Sequence, residues 1–323
     1  MLRRCLYNIR MDSDEAMAFD RKTLVIPDYT QFKEKTIKTK GDVVIGDRSM
    51  LRFGIETDGR IFVGEHAVID GDLHTKDDIR VDIFSNIGGN INSGGNAYLG
   101  EKVHVKGKLS LKGDLDVGDS VDIDKGFEAK GWINIRSPIP VVIYIFIYLM
   151  QLLKMGKSEE IERLLEELED NNGETIPISE TFLFIPNNTI MAAQKSQSDY
   201  SLRIGKQCKV LGNFSMKGTA YVDEDSEVYG SIHTTGDIYC GKNVVIHGAI
   251  STTGNIHLSE SCHVIGEVKG DAITLSKSAT IEGTLHAKQG TTFTDAKKEQ
   301  AKEKVTRFET NTDIVDEMQE MLE

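Results

Sequence analysis

The chain is expected to be all-β, built as two tandem parallel β-helices, and three observations carry that expectation. A glycine returns every eighteen residues through the second half: Gly212, Gly230, Gly248 and Gly266, then Gly283 one residue early. Apolar residues bracket each glycine two positions away, as Val228 and Ile232 bracket Gly230, or Ile246 and Ile250 bracket Gly248. The first half repeats the pattern 159 residues earlier, with Ile69, Gly71 and Leu73, then Ile87, Gly89 and Ile91, then Val105, Gly107 and Leu109. A fixed period of this size with alternating apolar positions is the signature of stacked coils of parallel strand.

Each column of the register has a physical reading. Cys208, Ser226, Val244, Cys262 and Ala279 form one column, and Val210, Val228, Ile246, Val264 and Ile281 form the next. The glycines follow, and then Phe214, Ile232, Ile250, Val268 and Leu285. A second side of each coil supplies Ala220 with Val222, Ile238 with Cys240, Ile256 with Leu258, and Ile273 with Leu275. Period two places all of these on one face, which in a closed coil is the interior. The residues between them are mostly Lys, Glu, Asp, Ser, Thr, Asn and His, as a solvent face requires. Glycines in an inward column mark places where a side chain would not fit. The correspondence extends to the approach segments: Ile26-Pro27, Thr30 and Gly46 match Ile185-Pro186, Thr189 and Gly205, so the halves read as a tandem duplication.

The expected organisation has five parts. An arm with one strand, Thr23 to Ile26, covers 1–35, and the first β-helix covers 36–136. An apolar and then amphipathic helical insertion covers 137–178, where Ile161, Leu164, Leu165 and Leu168 fall at helical spacing. A second strand arm and β-helix cover 179–292, and a charged helical tail covers 293–323. The 323 residues have room for two such domains. A net charge of −13 argues against a nucleic-acid partner, which demands a basic face. Four cysteines without metal or disulfide spacing, and a basic start without an apolar core, point to a reducing, cytoplasmic setting rather than a secreted one.

The insertion opens with VVIYIFIYLMQLL, from Val141 to Leu153. As a helix, the run from Ile139 to Leu153 reaches about 22 Å, short of the ~30 Å hydrocarbon layer of a bilayer. A membrane span is therefore not expected. Burial against protein and insertion into one leaflet both remain open for this run, with Ile143, Ile145, Phe146 and Leu149 as the membrane or partner contacts.

Catalytic readings find little purchase. Acyltransferases and a zinc carbonic anhydrase class use hexapeptide solenoids, and they need a corner His or several His converging on one metal. No His is followed by another one coil along: from His233 comes Ser251, from His247 Ile265, and from His257 Thr274. The Asp-rich runs at Asp77-Asp78 and Asp114 to Asp124 lack the glycine-rich nonapeptide of calcium-binding solenoids. No phosphate-cradling glycine loop occurs, so no nucleotide is implied, and no catalytic, cofactor-binding or metal residue is assigned.

With its apolar–x–Gly–x–apolar units, such as Val228-Tyr229-Gly230-Ser231-Ile232 and Ile69-Asp70-Gly71-Asp72-Leu73, each half resembles the bactofilins. The resemblance covers about 90 to 100 residues per half. It implies a right-handed, three-sided β-helix and a cytoskeletal role, with nucleotide-free self-assembly, often at a membrane surface. The duplication and the insertion depart from that pattern. The physical case agrees, because unpaired strand edges at solenoid ends must be capped or used. The expected partner is therefore the chain itself, as a homopolymer or homo-oligomer. The expected interface residues are Leu51, Phe53, Ile55, Phe127, Trp132, Ile133 and Ile135 in the first β-helix. In the second they are Val210, Leu211, Phe214, Ile281, Leu285 and Phe293. A capped, non-polymerising scaffold is the alternative, and a hexapeptide-type enzyme the second alternative.

Overall fold

A computed structural model describes residues 9–11, 22–136, 150, 176–179 and 181–294. They fold as an all-β parallel solenoid divided between two compact units, Met1–Ser198 and Asp199–Glu323. The helical insertion expected over 137–178 and the helical tail expected over 293–323 lie outside the described residues, apart from Met150, 176–178 and 293–294. At the margins of these regions the chain is strand: Ile176–Ile178 pairs parallel with Ile9–Met11, and the last strand of the second solenoid runs Leu285–Thr294.

The first unit winds with three short strands per eighteen-residue coil. One face stacks Thr36–Lys38, Gly54–Thr57, Leu73–Thr75, Ile91–Ser93, Leu109–Leu111 and Phe127–Ala129. A second stacks Asp42–Ile45, Ile61–Val63, Ile79–Val81, Ala97–Leu99, Leu115–Val117 and Ile133–Ile135. The third runs from Met50–Leu51 to Asp122–Ile123. Every rung pairs in parallel with the residue eighteen positions away, as Ile91 does with Leu73 and Leu109. The inward columns read from the sequence are the core: Ile69, Leu73, Ile79, Ile87, Ile91 and Leu109 are fully buried.

Backbone contact accounts for the glycine column. A Cβ on Gly89 would lie 2.5 Å from the carbonyl of Gly71, and one on Gly107 would lie 2.3 Å from that of Gly89. Coils approach too closely there for any side chain. Phe53 stands in this column in the first complete coil. It is 1% exposed and packs edge-on to Phe32, at 5.5 Å between ring centroids.

Polar columns hold the corners. Thr57 donates its hydroxyl to the carbonyl of Gly41 at 2.5 Å, Thr75 to that of Gly59, and Ser93 to that of Asp77. A second corner carries an amide–carboxylate ladder. Asp78 accepts the N–H of Asn96 (2.6 Å), Asn96 that of Asp114 (2.8 Å), and Asp114 that of Trp132 (2.7 Å). At a third corner Arg48, His66, Phe84, Lys102 and Ser120 all adopt positive φ, near 55°.

The strand arm of the second repeat belongs to the first solenoid. Phe182–Ile185 pairs parallel with Asp42–Ile45, and Ile190–Met191 with Met50–Leu51, in a register of 140 residues. Thr23–Ile26, the duplicate of Phe182–Ile185 in the first repeat, meets it antiparallel at Val25 and Phe184.

The second unit follows the same plan. One face stacks Ser201–Ile204, Ala220–Val222, Ile238–Cys240 and Ile256–Leu258, and another Lys209–Leu211, Glu227–Tyr229, Val245–Ile246, His263–Val264 and Thr280–Ile281. The last two coils merge two faces into the long strands Val268–Ser276 and Leu285–Thr294, with a register shift between Gly270 and Ala272.

Candidate assembly ends

In the first unit the early coil is closed. Leu51, Phe53 and Ile55 are each 1% exposed, with the strands Phe182–Ile185 and Ile190–Met191 laid along the edges beside them. This edge is fitted in detail. Ser179 Oγ accepts the Asp42 N–H at 3.0 Å, and Asp42 Oδ2 accepts the Ser179 N–H at 3.0 Å. Asn187 Oδ1 accepts the Asp47 N–H at 2.9 Å, and Ser49 donates to the carbonyl of Pro186 at 2.8 Å. Asn188 takes the same positive φ as Arg48 in the next coil. A Cβ on Gly41 would lie 1.6 Å from the carbonyl oxygen of Thr181, so only glycine lets this strand approach. In the second unit Val210 and Phe214 are likewise core residues, and Leu211 is half-buried.

The late coils are open. Trp132 is 85% exposed and Ile135 73%, with Phe127 and Ile133 also exposed. Ile133–Ile135 pairs on its inner side with Leu115–Val117, and Phe127–Ala129 with Leu109–Leu111. Among the described residues of this unit, no further strand covers their outer sides. Trp132 also ends the corner ladder, because it occupies the position of Asn96 and Asp114 yet has no acceptor oxygen. In the second unit Leu285 and Phe293 are exposed and Ile281 is half-buried. The strand Leu285–Thr294 pairs inward with Val268–Ser276. Ile143, Ile145, Phe146 and Leu149 lie outside the described residues.

The His side chains stand on outer faces and corners. His66 stacks on Phe84 at 4.9 Å, His247 on Tyr229 at 4.4 Å, and His257 on Tyr239 at 4.8 Å. His263 meets Glu282 at 2.8 Å, and His247 meets Glu227 at 2.9 Å. One grouping escaped the sequence reading: His104, Asp122 and Asp124 bring their ligand atoms within 4.8 Å of one another near the open end of the first solenoid. Its signal was the ladder pairing of His104 with Asp122, eighteen residues on. Both Asp side chains are exposed, as is common for acidic groups on a surface, and His104 is half-buried. A hydrogen bond with Cys262, together with burial, pushes the Cys240 thiol well up, which removes it as a nucleophile.

Burial by itself would raise the Asp42 carboxyl. Hydrogen bonds from Arg60 and from the Ser179 backbone outweigh it and hold Asp42 below the usual carboxylate range. Asp42 thus ties the added strand to the first coil by charge as well as by ladder bonds.

Residues 187–297 match the family model Bactofilin, described as polymer-forming cytoskeletal. Neither the curated proteins nor the solved structures gave a match. With the parallel solenoid, the match supports a cytoskeletal, scaffold kind of protein.

Proposed function

We propose that this chain, which carries a bactofilin domain, is a scaffold subunit that joins to copies of itself, without a nucleotide, through the open late coils of its two solenoids. The observation that carries the reading is the asymmetry between ends. Early-coil residues are buried, whereas Trp132, Ile133 and Ile135 in one unit and Leu285 and Phe293 in the other are exposed beside strand edges. Covering each such side chain returns roughly 1.5–3 kcal/mol, and a joint also satisfies the edge amides and carbonyls. One sticky end makes only dimers, whereas two make a linear polymer.

That arithmetic supplies the test. Trp132→Asp with Ile135→Asp should leave the circular dichroism of a folded β protein while limiting assembly to dimers. Adding Leu285→Asp with Phe293→Asp should leave monomers. Sedimentation velocity and negative-stain microscopy read both outcomes. A wild-type chain that stays a single particle at every concentration would overturn the reading and favour the capped scaffold.

The apolar run from Ile139 to Leu153 is proposed to hold the scaffold at a membrane surface. No described helix is long and apolar enough to cross a membrane. Replacing Ile143, Ile145, Phe146 and Leu149 by Ser should abolish co-sedimentation with liposomes and leave self-association intact.

A further inference from the structure

The coil that closes the first solenoid comes from the other repeat. Its strands follow the next coil in a register of 140: Phe182–Ile185 precedes Asp42–Ile45, Asn187 precedes Asp47 and Ile190 precedes Met50, while Ser179, three residues off that register, bonds Asp42 at the corner. These contacts lie between residues 179–191 and a receiving edge formed by Gly41 to Arg52, and Thr23–Ile26 of the same repeat adds an antiparallel contact at Val25 and Phe184. None of them depends on the chain that connects donor to acceptor. Forty residues lie in sequence between Ile135 and Ile176. A flexible link of that length corresponds to an effective concentration on the order of 1 mM. Exchange of an identical element between copies keeps every native contact, so only this concentration separates the exchanged form from the closed one.

We infer that the edge formed by Asp42–Ile45 and Met50–Leu51 is a strand-acceptor site, and that residues 179–191 of a second copy fill it when copies are concentrated. Recognition is β-augmentation: main-chain ladder bonds give affinity. The Ser179, Pro186 and Asn187 contacts and the close approach at Gly41 and Gly46 set register. A proline fits at the strand end because no ladder donor is needed there. The inference does not rest on end-to-end joining, but a scaffold in which copies are crowded would favour it.

The test uses Met50 and Ile190, outward-facing ladder partners of which Ile190 is exposed and Met50 half-buried. Full-length M50C and I190C variants with different tags are made with Cys5 replaced by Ser, Cys208, Cys240 and Cys262 being buried. Both also carry Trp132→Asp, Ile135→Asp, Leu285→Asp and Phe293→Asp, so that joining through the late coils neither produces nor masks the result. The two proteins are unfolded together, refolded at a series of concentrations and oxidised. At ~0.1 mM of each protein, about a tenth of the chains should carry a disulfide between the two tags, with the fraction falling in proportion on dilution. The double variant M50C/I190C, refolded dilute, should close within one chain. Closure in the double variant with no bond between tags at any concentration overturns the inference. Failure of the double variant to close overturns the register on which it stands.

Discussion

Gln207 illustrates how a single position can be read. It adopts positive φ, as do Asp225, Asn243 and Ser261 at successive coils, and as do Arg48, His66, Phe84, Lys102 and Ser120 in the other half. A left-handed backbone costs an ordinary L-residue roughly 1–2 kcal/mol and a β-branched one more, while Asn tolerates it. Gln207→Asn should therefore leave stability unchanged or raise it by up to about 1 kcal/mol. Gln207→Val should lower it by about 1–2 kcal/mol, both read by urea denaturation. This column was invisible in the sequence because its residue types have nothing in common. Arg, His, Phe, Lys, Ser, Gln, Asp and Asn all occur there, and the turn is fixed by the coils above and below.

At the scale of elements, the inward columns and the glycine column were legible because each demands one kind of residue. Period two selects apolar side chains, and backbone contact selects glycine. The destination of Phe182–Ile185 was not legible. Its resemblance to Thr23–Ile26 assigns it to its own repeat, whereas its pairing follows a 140-residue register that leaves no trace in residue type. That pairing hid the closure of the edge beside Leu51, Phe53 and Ile55, which the sequence reading left open. The exposed end at Trp132 was better marked, since an aromatic follows Asp78, Asn96 and Asp114 in their column.

Asp42 gives the added strand a pH signature. Its pKa is lowered by folding, so its contribution is present above the unfolded carboxylate range, about 3.9, and is lost as pH falls through the lower folded value. Hydrogen exchange at residues 182–185 should accelerate in that acid window before the remaining coils loosen. Asp42→Ala should free the same amides at neutral pH and cost about 2 kcal/mol. The figure sits below the usual range for a broken buried pair because Arg60 is 27% exposed and regains water.

For the whole molecule, charge opposes association. The chain carries a net −13, so copies repel at low ionic strength. Raising salt from about 0.01 M to 0.15 M shortens the screening length from ~30 Å to ~8 Å. Pelleted assembly should accordingly grow with salt over that range, and a decline would point to ion pairs rather than apolar coils as the adhesive.

The register of 140 residues also sets a timetable. The first solenoid leaves the ribosome with its leading coil unfinished, and the strand that completes it is translated only when residues 182–191 are reached. At 5–20 residues per second the wait is on the order of 7–28 s. For that interval every nascent chain presents a bare β edge, and neighbours on one polysome are the nearest source of something to cover it.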